Sequence, residues 1–424
     1  DVNPRDVHAL ETMASLLVLN NRQEEAEQYL SGALGINPES LKSLSLQAAQ
    51  AALFEEFDTF AQIEAQVNGF SPNNPYFYGD IADAFGNNYR FTEAVGYARQ
   101  AIAADPNYWQ GHTLLGSNLI RLGEEEAGRA SLELAFDNDP FDVMTSNMLK
   151  VFDTLDDYVT LRTEHFEVRM SESDSVVLWP YMAPMIEENW DSLTQKYGFE
   201  PEAPVLIEVF ERTEDFAVRS VGLPDIGPLV GICFGKVVTL ISPGTLDANW
   251  QEILWHELVH VFTLQMTNNR MPRWLSEGIS VWEESEARPE WGRRQGIELV
   301  RAAAEEKLLP VGNLNEAFTG ANSNEDLGFA YFQSYLVVDF IDKEYGFEKM
   351  VELVNQYSFI KDESEMFQAV FDKPIEAFNE EFHTWIDRRV DEINVYVHTE
   401  DAPDEGAAHG HGQRENSSAV LAEL

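Results

Sequence analysis

The chain has 424 residues, of which 74 are acidic and 28 basic, giving a formal net charge of −46. A field of that sign repels phosphate backbones, which excludes nucleic acid as a natural partner and disfavours anionic membranes; its plain consequence is a highly solvated surface. No uninterrupted apolar run reaches the ~18 residues of a membrane-spanning helix, and the single Cys233 excludes an internal disulfide or a multi-cysteine zinc site.

A length of this order calls for about two or three domains. The opening DVNPRDVHAL has neither an initiator Met nor a signal-peptide pattern. The expectation is a processed or truncated product that has lost a targeting segment, as a periplasmic or secreted protein would. Pro4, Pro38, Pro72, Pro106 and Pro140 then recur at intervals of 34 residues. Small residues hold fixed places between them: Ala14, Ala26 and Ala33, then Ala82, Ala94 and Ala101, then Gly116 and Ala135. Such positions let two antiparallel helices approach closely, and proline stops the second helix before the next pair. The unit ending at Pro72 is degenerate, with Phe60 and Val67 in place of alanines. Four helix pairs are legible, and Asn3–Pro4 reads as the end of a further one upstream. This pattern resembles the tetratricopeptide repeat and implies an all-α solenoid over 1–150. Its concave face either binds a protein or peptide, or the array is a spacer docked on its neighbour.

After residue 150 the period changes. HFEVRM, VLIEVF and KVVTLISPG read as strands, with Val205, Ile207 and Val209 on one face. Between the first two, MAPMIEENWDSLTQKYG reads as a helix closed by Gly198. Cys233, in LVGICFGKVV, reads as a small buried hydrophobe. These elements begin an α+β domain placed at 155–395, mainly helical in its second half. Residues 396–424 are polar and rich in Gly and Ala, so a disordered tail is predicted; its His409 and His411 carry no expected site.

The chemistry is concentrated in NWQEILWHELVHVFTLQM, predicted as a helix over 250–266 with Asn249 as N-cap. At 3.6 residues per turn, His256 and His260 share a face one turn apart, a spacing that suits a tetrahedral cation. Glu257 is rotated away, within reach of a water at the metal but outside the ligand set. The same spacing also occurs in a buried helix whose histidines bond to carbonyls or carboxylates. Beyond His260, MPRWLSEGISVWEE, from Met271, predicts a second helix with Pro272 in its first turn and Glu277 seventeen residues after His260. Glu277 there can complete a His–His–Glu set, and Gly278 permits close helix approach.

HELVH followed by PRWLSEG resembles the gluzincin metallopeptidases, in particular their peptidase MA-like branch. The resemblance implies a thermolysin-like fold, zinc held by His256, His260 and Glu277, and Glu257 as general base in hydrolysis of a protein or peptide substrate. It further implies a tyrosine that stabilises the oxyanion on a downstream helix. Tyr331, at the start of GFAYFQSYLVVDFIDKEYG, is preferred over Tyr335, although both also suit a helix core. In such enzymes a substrate strand pairs with a sheet edge, a role that GKVVTLIS fits by order. The aminopeptidase motif Gly-x-Met-Glu-Asn has no counterpart between residues 155 and 255, so an endopeptidase is expected. The rival expectation is a non-catalytic binding protein whose repeats do the work while a degenerate peptidase domain retains zinc.

Overall fold

The structure is a computed structural model that describes residues 5–19, 22–225, 227, 229–292, 296–305, 307–321, 323–359 and 362–400. Pro4, His409 and His411 lie outside them, as does the predicted tail from 401 onward; its first residues, 396–400, instead continue the last helix, Ile375–Glu400. The chain divides into two compact units, Asp1–Arg270 and Met271–Leu424. A helical array is followed by a mostly helical region carrying one small mixed sheet.

The first unit opens with four helix pairs: α1 (Val7–Leu19) with α2 (Gln23–Ile36), α3 (Leu41–Leu53) with α4 (Phe57–Phe70), α5 (Pro75–Asn87) with α6 (Phe91–Ala104), and α7 (Trp109–Arg121) with α8 (Glu125–Asn138). A ninth helix, α9 (Val143–Asp156), stands where a fifth pair would start. The fixed small residues do what the repeat requires. Ala14, Ala26, Ala33, Ala82, Ala94 and Ala101 are all fully buried. A Cβ on Gly116 would lie 2.8 Å from the Gly128 carbonyl, so α7 and α8 touch backbone to backbone. In the degenerate unit, Phe60 packs its ring against Phe77 and Tyr97 instead.

Beyond α9 come β1 (Val159–Arg162), β2 (Phe166–Met170), α10 (Glu172–Tyr197), β3 (Val205–Phe210), α11 (Thr213–Val221), β4 (Gly231–Cys233), β5 (Val237–Ile241) and α12 (Trp250–Met266). The strand order is β1-β2-β3-β5-β4, with β2, β3 and β5 parallel and the two outer strands antiparallel to their neighbours. Central β3 is buried on both faces: Ile207 and Val209 fill one side, Glu208 and Phe210 the other. Gly198 ends α10 in the left-handed conformation at φ 63°.

The array is docked on this sheet. Phe210, Phe216 and Val218 pack with Ile120, Leu132, Met148, Val151 and Phe152. Phe91 meets Phe234 and Val237, and the Arg121 guanidinium lies 5.5 Å over the Phe91 ring and 5.8 Å over that of Phe234. Arg169 on β2 pairs with Glu125 on α8. Beneath them, Arg219 Nε lies 2.7 Å from Glu208 Oε2, although its N–H is not aligned with that oxygen. Burial pushes the Glu208 carboxyl above the usual range, against the pull of Arg219. Both residues are almost wholly enclosed, so Glu208→Gln strands a buried guanidinium. The expected result is a loss of about 3–5 kcal/mol in urea-denaturation stability; a loss under about 1 kcal/mol would mean that water replaces the carboxylate.

The second unit holds α13 (Arg273–Ala287), α14 (Gly296–Ala304), α15 (Leu314–Thr319), α16 (Asn324–Tyr345), α17 (Phe347–Gln356), α18 (Glu363–Phe371) and α19 (Ile375–Glu400). The key contact is α13 on α16. A Cβ on Gly278 would lie 2.6 Å from the Ser334 carbonyl, so this glycine sets how closely the two helices approach. No helix among the described residues is long and apolar enough to cross a membrane.

Candidate metal centre

Asn249 caps α12 by accepting the Glu252 N–H, as its place before the helix predicts. The helix is anchored at the other end by Gln265, which accepts from the Glu202 N–H at 2.7 Å and donates to the Gly235 carbonyl at 2.9 Å. Phe262 meets the Trp190 ring of α10 edge-on at 5.6 Å. The motif therefore rides on a rigid, buried rod. Helix α13 starts differently from the prediction: Pro272 is the N-cap rather than part of the first turn. Its fixed extended geometry suits that position, but it offers no side-chain acceptor. The Trp274 N–H is taken by Asn315 Oδ1 of α15 at 3.2 Å instead.

One donor atom from each of His256, His260 and Glu277 lies within 4.8 Å of the others. His260 and Glu277 are buried and His256 half-buried. The two imidazoles, 4.8 Å between centroids, stand nearly perpendicular at 81°. Two nitrogens and a carboxylate are a donor set suited to zinc with one position left for water. Zinc holds such donors at about 2.0–2.2 Å, so the three would have to draw closer to share one ion. The donor set fits the metal that the sequence pattern implies.

Glu257 is buried, and the β4 backbone closes on it: a Cβ on Gly231 would fall 2.7 Å from Oε1 and 2.9 Å from Cγ. Cys233, two residues on, is buried as its setting predicts, and its thiol is pushed well up by burial and then by Glu257. Sequence reasoning did not single out Gly231; a lone glycine in an apolar run is the signal that a backbone makes a close approach there.

The open edge of the sheet differs from the expectation. KVVTLIS is β5, which has β3 on one side and β4 on the other, so it cannot receive a further strand. The edge beside α12 is β4, which has one neighbouring strand among the described residues. Phe234 N–H to Val237 O and Ile241 N–H to Val230 O set the alternation of its ladder. Gly231 and Cys233 therefore direct their backbone N–H and C=O away from β5.

Tyr331 lies well inside α16 rather than at its start, because the helix begins at Asn324. Half-buried, its ring meets Phe318 edge-on at 5.3 Å. Tyr335 lies one turn further along α16, where burial and then the nearby Asp339 push its phenol well above the usual range.

A protein-family model for the Peptidase MA superfamily matches residues 188–388, a span that contains all five candidate residues. The chain is also similar to the Protein SGT1 homolog of Oryza sativa subsp. japonica, at 28% identity over 149 residues. That stretch is 35% of this chain and 39% of the rice protein, so the chain spans about two fifths of the length of this curated relative.

Proposed function

We propose that the protein is a zinc-dependent metallopeptidase of the gluzincin type, acting as an endopeptidase. The observation that carries this reading is the convergence of His256, His260 and Glu277, with Glu257 buried one residue outside the set. Zinc held by these three would polarise a peptide carbonyl and make a water a better acid. Glu257 takes the proton from the attacking water and returns it to the departing amine nitrogen. An extended substrate lies along β4, hydrogen-bonded to the outward backbone groups of Gly231 and Cys233, on the strand that closes on Glu257. Tyr331 is the oxyanion donor: its ring packs on Phe318, the ring beneath Arg273 at the Glu277 end of α13.

The array binds a protein, substrate or partner, through its first repeats. The sheet covers part of its later helices, though Phe141 and Val143 stay exposed there, and Leu16, Phe57 and Tyr76 on α1, α4 and α5 stand at least half exposed. The binding-protein alternative rests on this surface and on the similarity to the rice SGT1 homolog, and gives no role to a buried carboxylate beside the ligand set.

Stripping the protein with a chelator is expected to abolish cleavage of a mixed peptide library, and about one equivalent of zinc per chain to restore it. Full activity in metal-free protein, or zinc-loaded protein inert towards every peptide, sinks the reading.

A further inference from the structure

The first residue of α13 is a cation at the positive end of a helix, where the macrodipole disfavours it. Its partner is Glu277, four residues on, and a cation N-terminal to its anion is the weaker order for such a pair. Helix stability therefore does not explain Arg273. Its contacts point elsewhere. Arg273 Nε lies 3.2 Å from Glu277 Oε1, and the guanidinium carbon lies 5.2 Å over the Phe318 ring. Phe318 is buried on α15, the same short helix whose Asn315 caps α13 through the Trp274 N–H. One element thus fixes both the start of α13 and the plane of the guanidinium. A flat guanidinium on an aromatic face has little freedom to turn, so the oxygen it engages is defined.

We propose that Arg273, seated on Phe318, is a positioning residue that occupies one carboxylate oxygen of Glu277 and leaves the other to the metal. This rests on the metallopeptidase reading above, since it needs Glu277 to be a ligand. The ion pair turns a carboxylate that could chelate through both oxygens into a single-oxygen donor. The fourth position then stays open for water. Groups that orient a ligand in this way are typically worth about 10–100-fold in metal affinity.

The test is zinc affinity by chelator competition for wild type, Arg273→Met, Arg273→Lys and Phe318→Leu. Absorption spectra of the cobalt-substituted forms and thermal melts of the metal-free forms accompany it. Arg273→Met is expected to weaken zinc about 10–100-fold with an unchanged metal-free melt. Arg273→Lys keeps the charge but not the planar fork, so it falls between wild type and Met; Phe318→Leu does the same by freeing the guanidinium. The cobalt visible bands of Arg273→Met should weaken as Glu277 closes onto the ion through both oxygens. If Arg273→Met folds poorly, the Lys and Leu variants decide. Wild-type zinc affinity and cobalt bands in all the variants overturn the proposal alone. A wild-type protein that takes up no zinc overturns the metallopeptidase reading beneath it.

Discussion

Glu257→Gln is expected to keep its zinc and lose its cleavage, whereas His260→Ala loses both. Glutamine has the shape of the glutamate it replaces, so it still fits the space that Gly231 leaves against α12. What it lacks is the capacity to accept a proton, and removing a general base costs about 10²–10⁴-fold in rate. Its melting temperature should not fall, because a buried neutral amide avoids the desolvation of a carboxylate. His260→Ala takes away one of three protein donors and leaves a buried gap, so zinc is held weakly and cleavage goes with it. Metal content and kcat/KM of the two purified variants make the comparison. Undiminished cleavage in Glu257→Gln contradicts its role as base; zinc held as tightly by His260→Ala as by wild type contradicts the ligand set.

Features fixed by local chemistry were legible in the sequence. α12 spans the 250–266 predicted for it, because a capping asparagine and a run of apolar residues define both ends. β3 coincides with VLIEVF, and Gly198 closes α10. The convergence of His256, His260 and Glu277 could be anticipated because the spacing of the first two and the helix carrying the third are local properties.

What was illegible depends on neighbours distant in the sequence. α10 starts at Glu172, well before the segment predicted for it, despite Pro180 and Pro184 within it. Each proline frees the carbonyl four residues earlier, and both fall on an exposed stripe with Val176, which is 74% accessible. Water satisfies there what would be costly in a core. β4 has three residues and a glycine, with no alternation to mark it, and exists because β5 supplies its ladder. Which strand lies at the edge is a property of sheet order, and nothing in KVVTLIS encodes that β4 folds back outside it. The docking of α6–α9 on the sheet likewise depends on Phe234, Phe210 and Phe216 finding partners among array residues that also suit a repeat core, and it leaves the first repeats available to a partner.

Gly231→Ala should separate the base from the metal. The glycine has no left-handed φ, so alanine is compatible with its backbone, and strand β4 can keep its register with Leu240. The unfolded chain loses freedom, which by itself favours the fold by about 0.4–1 kcal/mol. The new methyl, however, would lie 2.7 Å from Glu257 Oε1, 2.9 Å from Cγ and 3.0 Å from Cδ. Swinging the terminal oxygen aside does not relieve the contact at Cγ, so the whole side chain or the edge strand has to shift. A displacement of about 1 Å in a reacting group can cost 10²-fold in rate. His256, His260 and Glu277 are untouched by the substitution, and zinc should remain at the wild-type level. The expected result is a zinc-loaded, stably folded protein with kcat/KM down about 100-fold. Wild-type cleavage in Gly231→Ala would mean that Glu257 does its work from another rotamer, and the closeness of β4 would then belong to packing rather than catalysis.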